Sequence, residues 1–242
     1  MKPYLIFSHI PHSSMIPVTG SGKGLQDYFI GQYPVTQALW EAVGVENPSR
    51  FQGSARPVEM VSWYDAVEFC NRLSEICGLE PVYQVDKTIK DPNNQNGFDD
   101  LKWLVIRKQN ANGYRLPTEA EWEFAARGGI YGSGFEFSGS LQLDKVGWYD
   151  ENSHRETQPV GLFAPNELRL YDISGNVWEW CFGWYGKKSE IQTGGPESGH
   201  GRVLRGGGWH SSASHCRVAN RSRSHPDRRR GNFGIRLSKT AL

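Results

Sequence analysis

Apolar positions along this chain rarely keep a period for more than a dozen residues, but three stretches do. In "YPVTQALWEAVG", Leu39, Ala42 and Val43 share one helical face, Thr36 can cap the start and Gly44 ends the run. In "SWYDAVEFCNRLSEICG", Ala66, Val67, Cys70, Leu73, Ile76 and Cys77 form a stripe, with Ser62 and Asp65 as a near capping box and Gly78 as the stop. In "LPTEAEWEFAARGG", Thr118 and Glu121 form a T-x-x-E capping box and Gly128 closes the helix. Glu119, Glu121 and Glu123 fall near the positive end of that helix dipole. Short strands are expected at Tyr28–Gly31, Val82–Val85, Trp103–Ile106, Tyr114–Leu116, Gly147–Tyr149, Val203–Arg205 and Gly234–Leu237. The polar, turn-rich "DKTIKDPNNQNGFDD" joins two of them.

One C-terminal stretch obeys neither period: "GGGWHSSASHCRVANRSRSHPDRRRGNFGIRL". Trp209, Ala213, Cys216, Val218, Ala219, Pro226, Phe233 and Ile235 read as a packed frame. The gaps between them hold Ser, His and Arg.

Composition supports an α+β chain of about three helices, few short strands and much loop. There are 28 Gly, 13 Pro and nine Trp, so irregular backbone is pinned by large aromatic anchors. At 242 residues and 38% hydrophobic content, with no internal repeat or linker, one large domain is expected. No apolar run approaches the roughly 18 residues of a membrane span. Neither a signal peptide nor a lipoprotein cysteine stands near the start, so a cytoplasmic address is expected for the chain as given, and export or surface display if a leader is missing. Cys70 and Cys77 lie about 10 Å apart along a helix, too far for a disulfide, and the four Cys read as buried thiols. The formal net charge is +1, yet nine Arg and Lys239 face Asp227 alone between Arg202 and Leu242. A basic C-terminal region on an acidic body suggests an anionic partner, unless those Arg are buried in ion pairs with the body.

Several phrases, in fixed order, carry a family resemblance: "NPSRFQG", "RPVEMVSWYDAVEFCNRLSE", "NGYRLPTEAEWEFAARGG", "PNELRLYDISGNVWEW", "RVLRGGGW", "CRVANR" and "NFGIRL". The chain resembles formylglycine-generating-enzyme-like (sulfatase-modifying factor) domains from about Leu25 to Leu237. The resemblance implies an irregular C-type lectin-like fold over 25–242, after an N-terminal segment of 1–24. The founding enzymes oxidise a sulfatase cysteine with copper held by two Cys, five apart. Here Cys216 stands at the second position and Ser211 at the first. A hydroxyl does not replace a thiolate for Cu(I), so copper is not expected and Cys216 is catalytic only in an oxidase alternative. The ergothioneine-pathway branch carries iron on an additional helical domain, for which this chain has no room. No metal is expected at the His9 and His12 pair.

The gaps also have a codon logic. His210, Ser211, Ser212, Ser214, His215, Ser222, Arg223, Ser224, Arg228, Arg230 and Gly231 stand where relatives often have Asn. Replacing the adenines of an Asn codon yields Ser, His, Arg, Gly or Asp and never a stop. This resembles the adenine-directed change made by diversity-generating retroelements, some of whose variable proteins are of this lectin-type family. The resemblance implies a variable region at 203–237 that binds ligand through Trp209, placed at the base, and the gap residues from His210 to Arg230. Asn220, Arg221 and Asp227 are expected to brace the frame. The family's "YxxxGNxWEW" loop, here "YDISGNVWEW", further implies a structural Ca²⁺ held by Asp172, Glu179 and the carbonyls of Gly175 and Val177. The alternative there is a metal-free turn anchored by Trp178 and Trp180.

Three functions follow. The leading expectation is a non-enzymatic ligand-binding protein with a diversified surface, whose partner is a protein or an anionic ligand. The alternatives are a copper-dependent formylglycine-generating oxidase and an accessory module with a fixed surface. Nucleic acid is not expected, because "RSRSHPDRRRG" comes with no reading motif.

Overall fold

A computed structural model describes residues 13–22, 24–193 and 195–241. His9 and His12 lie outside them. All three helices form where their caps predict. They are α1 (Gln37–Ala42), α2 (Trp63–Ile76) and α3 (Glu119–Ala126). Ser62 with Asp65 and Thr118 with Glu121 each complete a reciprocal capping box. The buried face of α1 differs from the expected one. Leu39, Trp40 and Val43 point inward and Ala42 is exposed, because Trp40 stacks on Phe69 of α2 at 4.5 Å.

The strands are β1 (Met15–Val18), β2 (Tyr28–Gly31), β3 (Tyr83–Lys90), β4 (Trp103–Arg107), β5 (Tyr114–Arg115), β6 (Trp178–Trp184), β7 (Arg202–Arg205), β8 (Ser222–Ser224), β9 (Phe233–Gly234) and β10 (Ser238–Thr240). They form sheets of order β1-β2-β10-β5, β3-β4 and β8-β7-β6-β9. β1 comes from the N-terminal segment, and β2 pairs with it on one side and with β10 on the other. The first and last described strands therefore share one sheet, and the third sheet carries much of the 203–237 segment.

Two expected strands change. Gly147–Tyr149 is loop, because Gly147 lies against the Ser174 carbonyl so closely that a Cβ there would sit at 1.7 Å. Instead of joining a ladder, it packs loop on loop, with the Asn176 N–H donating to the Trp148 carbonyl. Of Gly234–Leu237 only Gly234 is in strand. Ile235 and Leu237 instead accept single bonds from Val35 and Gly31 N–H groups.

The core is aromatic and braced by polar groups. Trp63, Trp122 and Trp180 are fully buried, and their indole N–H groups donate to the Cys181 carbonyl, Glu179 Oε2 and the Val61 carbonyl. Arg115, Arg205 and Arg236 are equally buried. Arg115 grips Glu121 through two bonds of 2.6 and 2.7 Å, so Glu121 caps α3 and neutralises a buried guanidinium at once. No helix among the described residues is long and apolar enough to cross a membrane.

Candidate ligand-binding face

The C-terminal segment is first a fitted frame. Gly206 and Gly207 adopt φ of +94° and +80°, and a Cβ on Gly207 would meet Cys216 Sγ at 2.6 Å. The Gly run thus lets the 3₁₀ turn Ala213–Cys216 press onto the chain that follows β7. Cys216, Val218, Pro226, Phe233 and Ile235 are buried as framed, and Ala213 and Trp209 half-buried. Ala219 is exposed, so it is not part of the packing. The expected braces are in place. Arg221 holds Glu119 with bonds of 2.6 and 2.7 Å, Asn220 donates to the His215 carbonyl, and Asp227 accepts from the Asp100 N–H.

The gap residues largely converge. His210, Ser211, Ser212, His215, Ser222, Arg223, Ser224 and Arg230 line one open basin of about 560 Å³. Ser214 stands beside it, 3.1 Å from the Ser212 hydroxyl, and Arg228 is exposed beyond the rim. Most of these side chains reach water, but Ser211 is buried, and its hydroxyl accepts from the Gly208 N–H at 3.1 Å. Trp209 does not line the basin. It buttresses from behind, donating to the Gly231 carbonyl at 2.7 Å and meeting Phe51 edge-on. The base is made instead by Trp178 and Phe233, with Asn232 and Asp150. Phe233 belongs to the expected frame, while Trp178 and Asn232 lie in the phrases "YDISGNVWEW" and "NFGIRL". Asp150 carried no local signal, because a turn some sixty residues earlier delivers it, its N–H bonded to the Ser211 carbonyl. A larger hollow, of about 730 Å³, runs along α2 beside Asp65, Glu68 and Glu75, and no gap residue reaches it.

Charge divides cleanly. Six of the nine Arg from Arg202 to Arg236 meet carboxylates: Arg202, Arg205, Arg217, Arg221, Arg229 and Arg236. Among the described residues, Arg223, Arg228 and Arg230 meet none, and all three belong to the gap set. Arg223 rests 5.1 Å from the Tyr185 ring and Arg230 5.8 Å from Phe233. Desolvation, then Arg230, lowers the His210 pKa, against a smaller opposing pull from Asp150. The basin therefore has unneutralised cations at its rim and aromatic rings at its floor, which suits anionic or aromatic groups.

Cys216 is buried against Phe137, Leu143, Val146 and Tyr149, and burial pushes its thiol up to about 12. A thiol so held is protonated at neutral pH and packed as an apolar group.

The 172–179 loop fits a hard cation in part. Asp172 is buried at φ +53°; its Oδ2 accepts from the Gly161 N–H at 2.7 Å and its Oδ1 has only a 3.5 Å contact from Asn176. Burial raises its pKa to about 6. Glu179 accepts one bond from Trp122 and three from Arg236, two on each oxygen, so its carboxylate is already committed and Asp172 Oδ1 is the open carboxylate oxygen of the pair. Among the described residues no three His, Cys, Asp or Glu cluster, so backbone carbonyls would have to complete the shell.

Comparison with known proteins agrees with this architecture. The chain is 45% identical over 212 residues to the chaperone protein LppX of Paenibacillus barcinonensis, covering 81% of this chain and 74% of that one. It is 37% identical over 228 residues to the formylglycine-generating enzyme of Bos taurus, covering 86% of this chain and 50% of the enzyme, so it spans about half that relative's length. Among solved structures, Treponema denticola variable protein 1 superposes with a TM-score of 0.81 at 36% identity, over 94% of this chain and 95% of that one. CarF gives 0.73 at 28%, over 96% and 100%. Residues 20–241 match the sulfatase-modifying factor enzyme 1-like domain, and the chain belongs to that family, with its C-type lectin-like fold.

Proposed function

We propose that the protein is a non-enzymatic ligand-binding protein that displays a diversified C-terminal surface on a rigid lectin-type frame. One observation carries the reading: eight side chains from the gap set line a single basin, while among the residues between them Cys216, Val218 and Pro226 are core and Asn220, Arg221 and Asp227 are braces. Recognition can then change without the fold changing, because exposed polar positions tolerate exchange within about 0.5 kcal/mol and core positions do not. Free cations at the rim favour an anionic partner. The structural likeness to a protein named as variable supports the same direction.

The oxidase alternative needs two thiolates. Ser211 supplies a hydroxyl already bonded to Gly208, and Cys216 is a protonated core thiol. The proposed calcium would be held by Asp172 Oδ1 and the carbonyls of Gly175 and Val177, with Glu179 kept by Arg236 and Trp122. When bound it would supply positive charge beside two buried carboxylates and fix the loop that leads into β6.

The genomic DNA flanking the coding region gives the direct test. A reverse transcriptase gene and a near-copy of the 203–237 coding stretch, with Asn codons at the gap positions, are expected. A neighbouring sulfatase gene together with tight Cu(I) binding by the purified protein would replace this reading with the oxidase.

A further inference from the structure

The basin continues past its own rim. Arg223 and Ser224 also line a second hollow, of about 300 Å³, whose far wall comes from outside the C-terminal segment: Asn96, Gly97, Phe98 and His200. Phe98 is 78% exposed and its ring stacks on His225, with centroids 5.5 Å apart and planes 11° apart.

That ring is exposed yet fixed in place. Asp91, Asn94, Asn96 and Asp99 each accept, through a side-chain oxygen, the N–H two residues on, at 2.7 to 3.0 Å. The Asn96 amide also donates to the His200 carbonyl, and the Asp100 N–H donates to Asp227. The loop is thus tied at both flanks to the segments it faces. A preordered aromatic anchor loses little entropy on binding, and aromatic groups beside Arg are typical of interface hot spots.

Charge and backbone select the occupant. Arg223, Arg230, His200, His210, His215 and His225 surround the two hollows, and among the described residues Asp150 is the one carboxylate that lines either. Between the hollows runs β8, the edge strand of its sheet, paired on one side only, with β7. A cationic rim, an apolar anchor and an open strand edge together fit an extended acidic chain, which can add main-chain hydrogen bonds at the edge. A nucleic acid would use the ring and the cations and leave the strand edge idle.

We infer that the ligand is an acidic polypeptide lying along the edge of β8, with an aromatic or apolar side chain seated on Phe98. Resting on the proposed ligand-binding role, this adds a constant anchor, outside the variable segment, to the diversified basin.

Fluorescence anisotropy with three labelled probes tests it: poly-glutamate, a random Glu/Tyr copolymer and oligo(dT). The wild-type protein is expected to bind the copolymer more tightly than either other probe. Phe98→Ala, at a position exposed enough to leave the fold intact, is expected to weaken copolymer binding about tenfold and leave poly-glutamate unchanged. Arg230→Ala is expected to weaken both polymers. If Phe98→Ala binds the copolymer like wild type while Arg230→Ala loses it, the anchor is overturned and the diversified basin stands. If the wild type binds neither polymer, the acidic polypeptide is overturned. If oligo(dT) binds most tightly and Phe98→Ala abolishes it, the ring is a base-stacking platform and the inference is wrong.

Discussion

At the residue scale, Gly231 and His210 show how a variable position meets a constant one. Glu59 is fully buried and its Oε2 has no hydrogen-bond partner, while burial raises its pKa. A Cβ on Gly231 would lie 3.3 Å from that oxygen. An Asn side chain there can donate to the orphan acceptor, whereas Asp would set a second carboxylate against it. Gly231→Asn is therefore expected to be at least as stable as wild type, and Gly231→Asp less stable than Gly231→Asn by about 1–3 kcal/mol, read from urea unfolding at pH 7. His210 leans on the Trp209 ring at 4.9 Å and has Arg230, His215 and Asp150 as charged or titratable neighbours. Its pKa is lowered, so its neutral form favours the fold above the ordinary histidine range, and that stability is lost as pH falls through it. An anion in the basin opposes the shift by favouring the imidazolium. Poly-glutamate affinity should thus rise from pH 7 to pH 5.5, and His210→Ala should flatten that rise; an equal rise in both proteins would remove His210 from the binding site.

At the element scale, what the sequence revealed depended on how far apart the cooperating residues stand. The helices were legible because caps act over three residues, and Ser62–Asp65 and Thr118–Glu121 contain their whole argument. β6 was not legible, because its first four residues are buried on both faces and "WEWC" shows no alternation. Glu119 and Glu123 read as complements to the α3 dipole, but their main partners come from far along the chain. Arg205 reaches both and Arg221 reaches Glu119. Nothing local encodes such a pairing. It also ties α3 to β7 and to the residue just before β8, so the ligand-binding edge depends on it. Glu119→Gln leaves the buried Arg205 with Glu123 as its one carboxylate and leaves Arg221 with the Gly186 carbonyl and no carboxylate. A loss of about 3 kcal/mol is expected in chemical denaturation, with weaker copolymer binding at temperatures where the variant is still folded. The calcium loop is tested by thermal melts. With calcium at 100 times its dissociation constant, stabilisation of about 2.7 kcal/mol over the chelator-treated protein is expected, reduced in Asp172→Ala. An unchanged melt would leave a metal-free loop held by Arg236 and Trp122.

For the whole molecule, the question is whether the frame holds when the rim changes. Of the frame residues, Phe233 and Ile235 pack in the cluster that holds α1 and α2, Val218 packs with Trp122, Ala125 and Ala126 of α3, and Cys216 packs with Phe137, Leu143, Val146 and Tyr149. The gap residues His210, Ser212, Ser214, His215, Arg223, Arg228 and Arg230 are all exposed, with His210, Arg223 and Arg230 lying against Trp209, Tyr185 and Phe233. Buried position 211 is the exception, since its hydroxyl holds the Gly208 turn. Changing the seven exposed residues together to Asn removes no helix cap, no carboxylate–guanidinium pair and no buried side chain, and costs only surface contacts such as that of Arg230 with the Phe233 ring. At about 0.5 kcal/mol or less each, with mixed signs, the sum should stay near 1–2 kcal/mol, or a few degrees of melting temperature for a domain of this size. Phe233→Ala, a single change beneath them, should cost about 3–5 kcal/mol. Differential scanning calorimetry on the two variants compares rim with frame directly. A seven-residue variant that melts as low as Phe233→Ala would mean that the rim carries the fold, and a surface that carries the fold could not be freely diversified.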